Sequence, residues 1–301
     1  MSVQIIVSQQ GDGNFKTIGE AIAALPQSGG EILIKAGIYE EKIDLRKPNV
    51  TLIGEDAEKT VITYGDGALK LDEDGKPYET FRTATFYVGA DHLTAKNLTF
   101  ENHAGKGNLV GQAVAVYVNG DQNYFEQVRF VGHQDTLFIA PRPETKIDGT
   151  AFEDPLFIEE KPKGENRSHF KDCYIAGDVD FIFGGGVGLF EDCEIFSRAN
   201  HEPSYITAPC TPADQLYGFV FYQCRLTSDG EDGQVYLGRP WRDHGKAVFI
   251  DCAMGSHIHP DGWHDWEKPH ARATARFKEY GSYGKGAQGA RVSWCETYLA
   301  L

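Results

Sequence analysis

The chain has 301 residues, of which 41% are hydrophobic and 24% charged, so it can bury a full core. Its formal net charge of −15 argues against nucleic acid and anionic membrane surfaces as partners, because like charges repel. No stretch approaches the roughly 18 consecutive apolar residues that a membrane-spanning helix needs. We therefore expect a globular protein that is a monomer and binds neither a nucleic acid nor a membrane.

The N-terminus carries no charged segment followed by an apolar run after Met1, so we expect no signal peptide in this chain. This leaves two compartments open. The protein is secreted if a leader has been removed, and cytoplasmic if Met1 is the native start.

The first predicted element is an amphipathic helix. Ile18, Ala21, Ile22 and Leu25 recur at helical spacing, and Pro26 followed by two glycines ends the pattern. One helix before the first strand would cover the open apolar end of a stacked architecture. The preceding GDGNF lacks the G-K-[ST] of a nucleotide-binding loop, so we do not expect nucleotide binding.

Short strand-like segments then recur along the chain. Four cysteines lie in near-identical segments, HFKDCYI, LFEDCEI, VFYQCRL and VFIDCAM, and YFEQVRF and TAKNLTF fit the same frame. The shared position, which we call the column, is occupied by Leu98, Val128, Cys173, Cys193, Cys224 and Cys252. The successive intervals are 30, 45, 20, 31 and 28 residues. Alternating strands at such intervals predict one all-β domain, residues 1–301, folded as a parallel β-helix whose coils stack.

The column also settles how we interpret the cysteines. Because valine and leucine replace cysteine there, we expect the four cysteines to be buried small hydrophobic residues. We expect neither a disulfide among them nor a metal site, since no C-x₂-C spacing exists. After Cys252 the repeat fades, and we expect residues 261–287, which are rich in Gly and aromatic residues, to pack irregularly along the outside of the stack.

Polar residues interrupt the strand pattern at a few points. These interruptions are Gln112, Gln134, Asp135, Asp178, Asp180, Arg239 and the neighbouring Trp241. Asp135 and Asp180 each lie seven residues beyond their own column position, Val128 and Cys173. Because adjacent coils are about 4.8 Å apart, this equal offset places both carboxylates side by side. Two close carboxylates with an arginine are a common arrangement for acid–base or nucleophilic catalysis.

Each interruption also has a simpler interpretation. Asp135 could shape a turn, Arg239 could be only a structural ion-pair partner of Asp180, and the glutamines could hydrogen-bond along a ladder.

Two other candidate sites, both for metal ions, have weaker support. Residues 72–75 lack the spacing and the terminal Glu of a calcium loop. The histidines at 257, 259 and 264 are better explained by chance than by zinc, because ten histidines are scattered over the chain.

Seven motifs in order give a resemblance that covers nearly the whole chain. They are GIYEE (37–41), TFRTATFYV (80–88), QAVAV, QDTLF, DFIFG, LGRPW and GWHDW. Together they resemble the pectin methylesterase family. The resemblance implies a right-handed parallel β-helix that hydrolyses the C6 methyl ester of galacturonate in methylated homogalacturonan or its oligosaccharides, with no metal, no cofactor and no serine nucleophile.

The resemblance also implies roles for particular residues. Asp180 resembles the nucleophile and Asp135 the acid and base, while Gln134 and Gln112 would donate to the oxyanion. Arg239 would hold Asp180 ionised. Trp241, Phe138 and Phe181 would offer apolar surface to the sugar rings, and Thr80 and Tyr39 match family positions at the substrate.

Three features depart from the family pattern. His133 stands where an aromatic residue is usual, Pro209 stands where the family tends to have Gln, and residues 140–166 form a longer loop than expected. These departures bear on substrate preference. Two alternatives stay open at this point: a pectate or pectin lyase with the same fold, which would need calcium-binding carboxylates, and a non-catalytic β-helical carbohydrate-binding protein.

Overall fold

Three parallel sheets run along the chain in a computed structural model that describes residues 4–152, 166–200 and 203–298. Each coil contributes one strand to each sheet in turn, and every pairing between neighbouring strands is parallel. The fold is the right-handed parallel β-helix that the sequence predicts.

Within the described residues, sheet 1 has eleven strands, sheet 2 has eight and sheet 3 has seven. The strands of sheet 1 are Gln4–Val7, Gly30–Ile34, Val50–Gly54, Thr94–Lys96, Asn123–Glu126, Arg167–Lys171, Val187–Glu191, Phe219–Tyr222, Lys246–Ile250, Arg276–Tyr280 and Glu296–Tyr298. Those of sheet 2 are Gly37–Glu40, Thr60–Tyr64, Thr99–Asn102, Arg129–Val131, Tyr174–Gly177, Glu194–Ser197, Arg225–Ser228 and Ala253–Met254. Those of sheet 3 are Ile43–Leu45, Phe86–Val88, Val116–Val118, Leu137–Ile139, Val179–Gly184, Ser204–Pro209 and Val235–Gly238.

The predicted column lies at the turn between sheets 1 and 2. All six column residues are at most 2% exposed and belong to the core inside the coils. The ladder continues through the turn, because the N–H after each column residue bonds to the column carbonyl of the previous coil, as in Tyr174 N to Val128 O and Glu194 N to Cys173 O. The six cysteines are free thiols. The structure therefore confirms the column.

A stack of phenylalanine rings fills the core beside the column. The rings lie nearly parallel, with centroids 4.3–4.9 Å apart between neighbours. The stack comprises Phe125, Phe170, Phe190, Phe221 and Phe249. The strand register pairs these residues directly, so the recurring Phe three positions before the column residue is the sequence signal of the stack. Each aromatic contact adds about 0.5–1.5 kcal/mol beyond area burial.

The predicted N-terminal helix spans Ile18–Ala24 and closes the first coil. Thr17 caps it, since its Oγ1 accepts from the Glu20 N–H, and its hydroxyl in turn donates to the Glu20 carboxylate. Its apolar face, with Ile18 and Ile22, packs on the open end of the core. A second helix, Gly107–Val110, is short, and 3₁₀ turns span Thr80–Thr83, Pro269–Ala273 and Lys285–Gln288. None of the helices in the described part of the chain is long and apolar enough to cross a membrane.

The C-terminal segment differs from the expectation in one respect. Much of it is irregular, but two strands after Cys252 extend sheet 1, and Trp263 is only 1% exposed. The Trp263 ring stacks on Phe277 at 4.4 Å and lies beside Phe249, so it continues the aromatic core. The expectation that residues 261–287 lie only along the outside is therefore wrong. Sequence pattern missed this coil because its strands lack the column frame.

Candidate active site

A cleft of about 270 Å³ lies on the outer face of sheet 3. The side chains that line it are Thr80, Phe81, Gln112, Gln134, Asp135, Lys146, Ile147, Phe152, Asp180, Phe183, Ala208, Arg239, Trp241, Arg242 and Trp266. Seven of the ten site residues that we predicted from the sequence are among them. Those seven are Asp180, Asp135, Gln134, Gln112, Arg239, Trp241 and Thr80.

The two carboxylates occupy matching positions on adjacent coils. Leu137 pairs with Ile182 in the parallel register, so Asp135 and Asp180 each lie two residues before a paired position. Both have positive φ, 66° for Asp135 and 50° for Asp180, a conformation uncommon outside glycine. Both are also buried, at 8% and 5% exposure. Backbone strain at buried carboxylates is typical of functional sites, so these two residues mark the floor of the cleft as the candidate active site.

Asp180 is held by Arg239 in a two-point contact. The guanidinium donates from Nε to Oδ1 at 2.8 Å and from Nη2 to Oδ2 at 2.7 Å, the fork geometry that binds a carboxylate best. Burial raises the pKa of Asp180, and the charge and hydrogen bonds of Arg239 oppose that rise. The contact therefore stabilises the ionised form of Asp180 inside a buried site.

Arg239 itself is held between two aromatic rings. Its guanidinium carbon lies 3.8 Å from the ring centre of Tyr205 and 3.8 Å from that of Trp266. The Trp266 ring also contacts Lys268, whose Nζ lies 4.5 Å from the ring centre. Burial lowers the pKa of Lys268 to about 8. Two ring faces and a bidentate carboxylate leave the guanidinium little freedom, so Arg239 can fix the orientation of Asp180.

Asp135 has a different environment. Within the described residues no cation lies within salt-bridge distance of its carboxyl, and burial raises the pKa of Asp135 well above the ordinary value. The neighbouring charge of Asp180 raises it further, while Arg239 opposes. The two carboxyl groups therefore differ in pKa, so that Asp180 can be ionised while Asp135 holds a proton.

The two glutamines lie on consecutive coils beside the carboxylates. Gln134 immediately precedes Asp135, and its carbonyl accepts from the Ala113 N–H, next to Gln112. The Gly107 backbone packs closely on the Gln134 side chain, since a Cβ at Gly107 would approach Gln134 Oε1 to 2.2 Å. A glycine at position 107 therefore allows the short helix to support the Gln134 amide at the cleft wall.

Three predicted site residues lie elsewhere. Phe181 is fully buried in the inner core, because neighbouring residues of a strand point to opposite faces and Asp180 takes the outer one. Phe138 faces outward but is covered completely by Phe81 and Phe183, at ring distances of 5.0 and 4.8 Å. Tyr39 is buried in the first coil, where its hydroxyl donates to the Lys35 carbonyl. None of the three offers surface to a ligand in the cleft.

Aromatic residues that the sequence analysis missed form the apolar wall. Phe183, not Phe181, lines the cleft, because the irregular register between Val179 and Ile182 turns both 181 and 182 inward. Phe81 and Trp266 join Trp241 in the lining. The GWHDW motif contained the signal for Trp266, but only the fold brings that residue to Arg239.

The predicted long loop contributes to the cleft at its described end. Lys146 forms an ion pair with Glu79 at 2.6 Å, and Arg242 donates to the Thr145 carbonyl at 2.6 Å. These contacts hold residues 145–152 against the rim. The remainder of the predicted loop, residues 153–165, lies outside the described residues. In the described part of the chain, no group of three or more His, Cys, Asp or Glu side chains could hold a metal ion.

Comparison with known proteins decides the family. The Pectinesterase family model matches residues 4–151 and 144–300. The chain belongs to the pectinesterase family. Pectinesterases are carboxylic-ester hydrolases, and this chain is one of them.

Individual pectinesterases are similar along the whole chain. Pectinesterase QRT1 of Arabidopsis thaliana is 35% identical over 97% of this chain and 73% of its own length. Pectinesterase 2 of Citrus sinensis is 33% identical over 96% of this chain, which spans only 53% of that relative. The chain thus spans about half the length of some curated relatives.

Solved pectinesterase structures share the fold. Pectin methylesterase from carrot matches with a TM-score of 0.80 at 29% identity, covering 98% of this chain and 88% of the other. PemA from Erwinia chrysanthemi matches with a TM-score of 0.79 at 30% identity, covering 99% and 93%. A pectin methylesterase in complex with a hexasaccharide matches with a TM-score of 0.78 at 30% identity, covering 97% and 92%.

Proposed function

We propose that this pectinesterase removes methyl groups from pectin by hydrolysing the C6 methyl esters of galacturonate units in homogalacturonan, with Asp180 as nucleophile and Asp135 as acid and base. One observation carries the proposal: two buried carboxylates occupy matching positions on adjacent coils, and among the described residues an arginine contacts Asp180 but not Asp135. That difference supplies an ionised and a protonated carboxyl in one cleft.

In the first step an Asp180 oxygen attacks the ester carbonyl carbon. The C–O bond to the methoxy group breaks, and Asp135 gives its proton to the departing oxygen, so methanol leaves. The product is an acyl-enzyme, a mixed anhydride between Asp180 and the galacturonate. Arg239 loses its anionic partner during this step, but it stays fixed between the rings of Tyr205 and Trp266.

In the second step Asp135, now a carboxylate, takes a proton from water. The oxygen of that water attacks the same carbonyl carbon, and Asp180 leaves as a carboxylate that Arg239 receives again. The galacturonate carboxylic acid is released and both enzyme groups return to their starting forms. No external oxidant or reductant enters either step.

Both steps develop negative charge on the carbonyl oxygen. Gln134 and Gln112 lie at the wall of the cleft beside Asp135, and their amide N–H groups would donate to that oxygen. Donors aimed at a developing oxyanion each contribute about 2.7–4 kcal/mol of barrier lowering in other hydrolases. The Gly107 contact supports this role, because it limits where the Gln134 amide can point.

The aromatic wall would hold the sugar rings. Trp241 lies near Phe183 and Phe81, with ring centres 5.9 and 6.5 Å away, and this apolar surface faces the two carboxylates. Pyranose rings pack their C–H faces on such surfaces, and Thr80 at the rim can hydrogen-bond a hydroxyl. The substrate class is therefore a chain of methylated galacturonate units, as polymer or oligosaccharide.

Incubation with highly methylated pectin tests the proposal. We expect methanol and free carboxylate in equal amounts, without loss of chain length. Formation of an unsaturated product that absorbs in the ultraviolet would instead indicate a lyase, and saccharide binding without either product would indicate a non-catalytic protein. The Asp180→Asn variant serves as the matched control, because it keeps the shape of the side chain.

A further inference from the structure

A second side-chain pair joins the same two coils as the catalytic carboxylates. His133 Nδ1 lies 2.9 Å from Asp178 Oδ2, and the two residues are 45 positions apart, as are Asp135 and Asp180. Asp178 is 2% exposed, and the His133 side chain is 20% exposed. The pair therefore lies immediately before the catalytic residues on each coil and is largely removed from water.

Several hydrogen bonds surround this pair, both between the two coils and within each coil. The Asp178 N–H donates to the His133 carbonyl at 3.2 Å, and the Val179 N–H donates to Asp178 Oδ1 at 2.8 Å. The Thr136 hydroxyl also donates to the His133 carbonyl, and the Asp135 N–H donates to the Val179 carbonyl. These hydrogen bonds hold the backbone in place before and after Asp135.

Such support is needed because regular strand structure is missing here. Residues 133–135 form a bend and turn before the strand Leu137–Ile139, and the register of the next coil shifts between Val179 and Ile182. The positive φ of Asp135 and Asp180 costs free energy that the surroundings must offset. A buried charged hydrogen bond at the start of both segments fits this need.

We propose that His133 and Asp178 form a latch, a hydrogen-bonded pair between the two coils, that positions Gln134 and Asp135 against Asp180. Because the latch holds the Asp178 carboxylate against the coil that carries Asp135, its charge also acts on Asp135, and a pH profile reports on the latch. His133 and Asp178 are positioning residues in this inference, since neither lines the cleft. The inference rests on the proposed function, in which Asp135 is the proton donor.

The charges around Asp135 determine whether loss of the Asp178 carboxylate raises or lowers the pKa of Asp135. Asp180 and Asp178 both raise the pKa of Asp135, after burial, and Arg239 lowers it. The cleft also carries Lys146 and Arg242 in its lining, and Lys268 acts on Asp180. The His133 N–H faces Asp178 and offsets part of its negative charge. Removing the Asp178 charge should therefore make Asp135 a stronger acid.

The test uses three variants at the latch and one control. Asp178→Asn keeps shape and loses charge, His133→Phe keeps a ring and loses the donor, and His133→Asn keeps a donor near the Nδ1 position. His169→Phe is the control, because His169 makes a similar contact with Glu191 at 2.8 Å on sheet 1, away from the cleft.

Two results are expected from methanol release measured across pH. Activity falls on the alkaline side as Asp135 loses its proton, and in Asp178→Asn this limb should move down by about 0.5–1 pH unit. His133→Phe should lower kcat about tenfold with little change in KM, and His133→Asn should restore kcat to within about threefold of wild type. The control should match wild type in both respects.

The outcomes separate this inference from the proposed function. An unchanged alkaline limb in Asp178→Asn, while Asp180→Asn is inactive, would overturn the latch but keep the mechanism. Turnover by Asp180→Asn would overturn the mechanism itself. An apparent pKa does not depend on how much enzyme is folded, so partial unfolding does not obscure the limb. Failure of all three latch variants to fold would assign the pair to fold stability and overturn the inference.

Discussion

Two regions of the coil use the same left-handed backbone conformation for different purposes. At the turn between sheets 1 and 2, the residue before each column position has φ between 51° and 55°. These turn residues are Asn97, Gln127, Asp172, Asp192, Gln223 and Asp251. Asp135 and Asp180, before sheet 3, have φ of 66° and 50°.

The difference between the two regions is burial. The turn residues recur on six successive coils and their side chains are exposed or half-exposed, so they bend the chain and face water. The two carboxylates before sheet 3 occur on two coils and are buried. Positive φ alone therefore does not mark a functional residue in this fold. A buried carboxylate with positive φ does, because burial of the carboxylate adds a cost that the exposed turn residues avoid.

Substitution of the nucleophile should give the largest effect. Asp180→Asn keeps the shape and tolerates positive φ, yet an amide cannot attack the ester, so we expect methanol release to fall by at least about 10⁴-fold. The matched control is Asp192→Asn, which makes the same change at a turn residue. Equal loss of activity in both variants would show that the loss is not specific to the Asp180 carboxylate, and would contradict its role as nucleophile.

Substitution of the acid should give the next largest loss. Asp135→Asn cannot transfer a proton, and losses of about 10²–10⁴-fold in kcat are typical for a missing general acid. A substrate with a better leaving alcohol than methanol should recover part of the first step. Equal losses for methyl and activated esters would argue against Asp135 as the group that protonates the leaving alcohol.

Arg239→Lys should cost less, because it keeps the charge but not the planar fork. We expect kcat to fall about 10–100-fold with KM nearly unchanged, since Arg239 orients Asp180 and the sugar does not depend on it. Steady-state kinetics on methylated oligosaccharides measures both constants. A rise in KM at constant kcat would place Arg239 in substrate binding instead.

The buried acid should also carry a cost in stability. Because the pKa of Asp135 is higher in the folded protein than the unfolded value of about 3.9, folding favours the protonated form, and stability falls as pH rises from that value to the folded pKa. Asp135→Asn removes this loss. Its thermal unfolding midpoint should therefore exceed that of wild type at neutral pH, with a smaller difference near pH 3. A midpoint difference independent of pH would contradict the raised pKa.

The turn residues should give the smallest effect. Asp192→Gly replaces a strained residue with one that adopts positive φ freely, so the free energy of unfolding should change by less than about 1 kcal/mol and activity should be unchanged. Chemical denaturation and methanol release measure the two quantities. A loss of activity here would weaken the distinction between the two regions.

The features that the sequence predicts well are those set by intervals along the chain. The equal seven-residue offsets of Asp135 and Asp180 from Val128 and Cys173 place the carboxylates together, because a parallel register preserves such offsets. The column is correct for the same reason. Because the coils repeat, residues at equal offsets from the column can be predicted from the sequence to lie side by side on adjacent coils.

Features that depend on a single irregularity or a distant contact were not predictable in this way. The motif predicts Phe181 in the cleft, but Phe181 adjoins Asp180 on a strand and points into the core, and the shifted register places Phe183 in the cleft instead. The rings around Arg239 come from Tyr205 and Trp266, whose spacing from it follows no repeat. Tyr39 matched a motif, but motif position does not determine which face of a coil a side chain takes.

The most direct test of the account is detection of the acyl-enzyme on Asp180. Wild-type enzyme mixed with excess methylated oligogalacturonate, quenched rapidly in acid and digested, should yield the peptide containing Asp180 with the added mass of the galacturonyl chain. The Asp180→Asn protein should not carry this adduct. An adduct on the Asp135 peptide, or methanol release without any adduct in the pre-steady state, would contradict the assignment of Asp180 as the nucleophile.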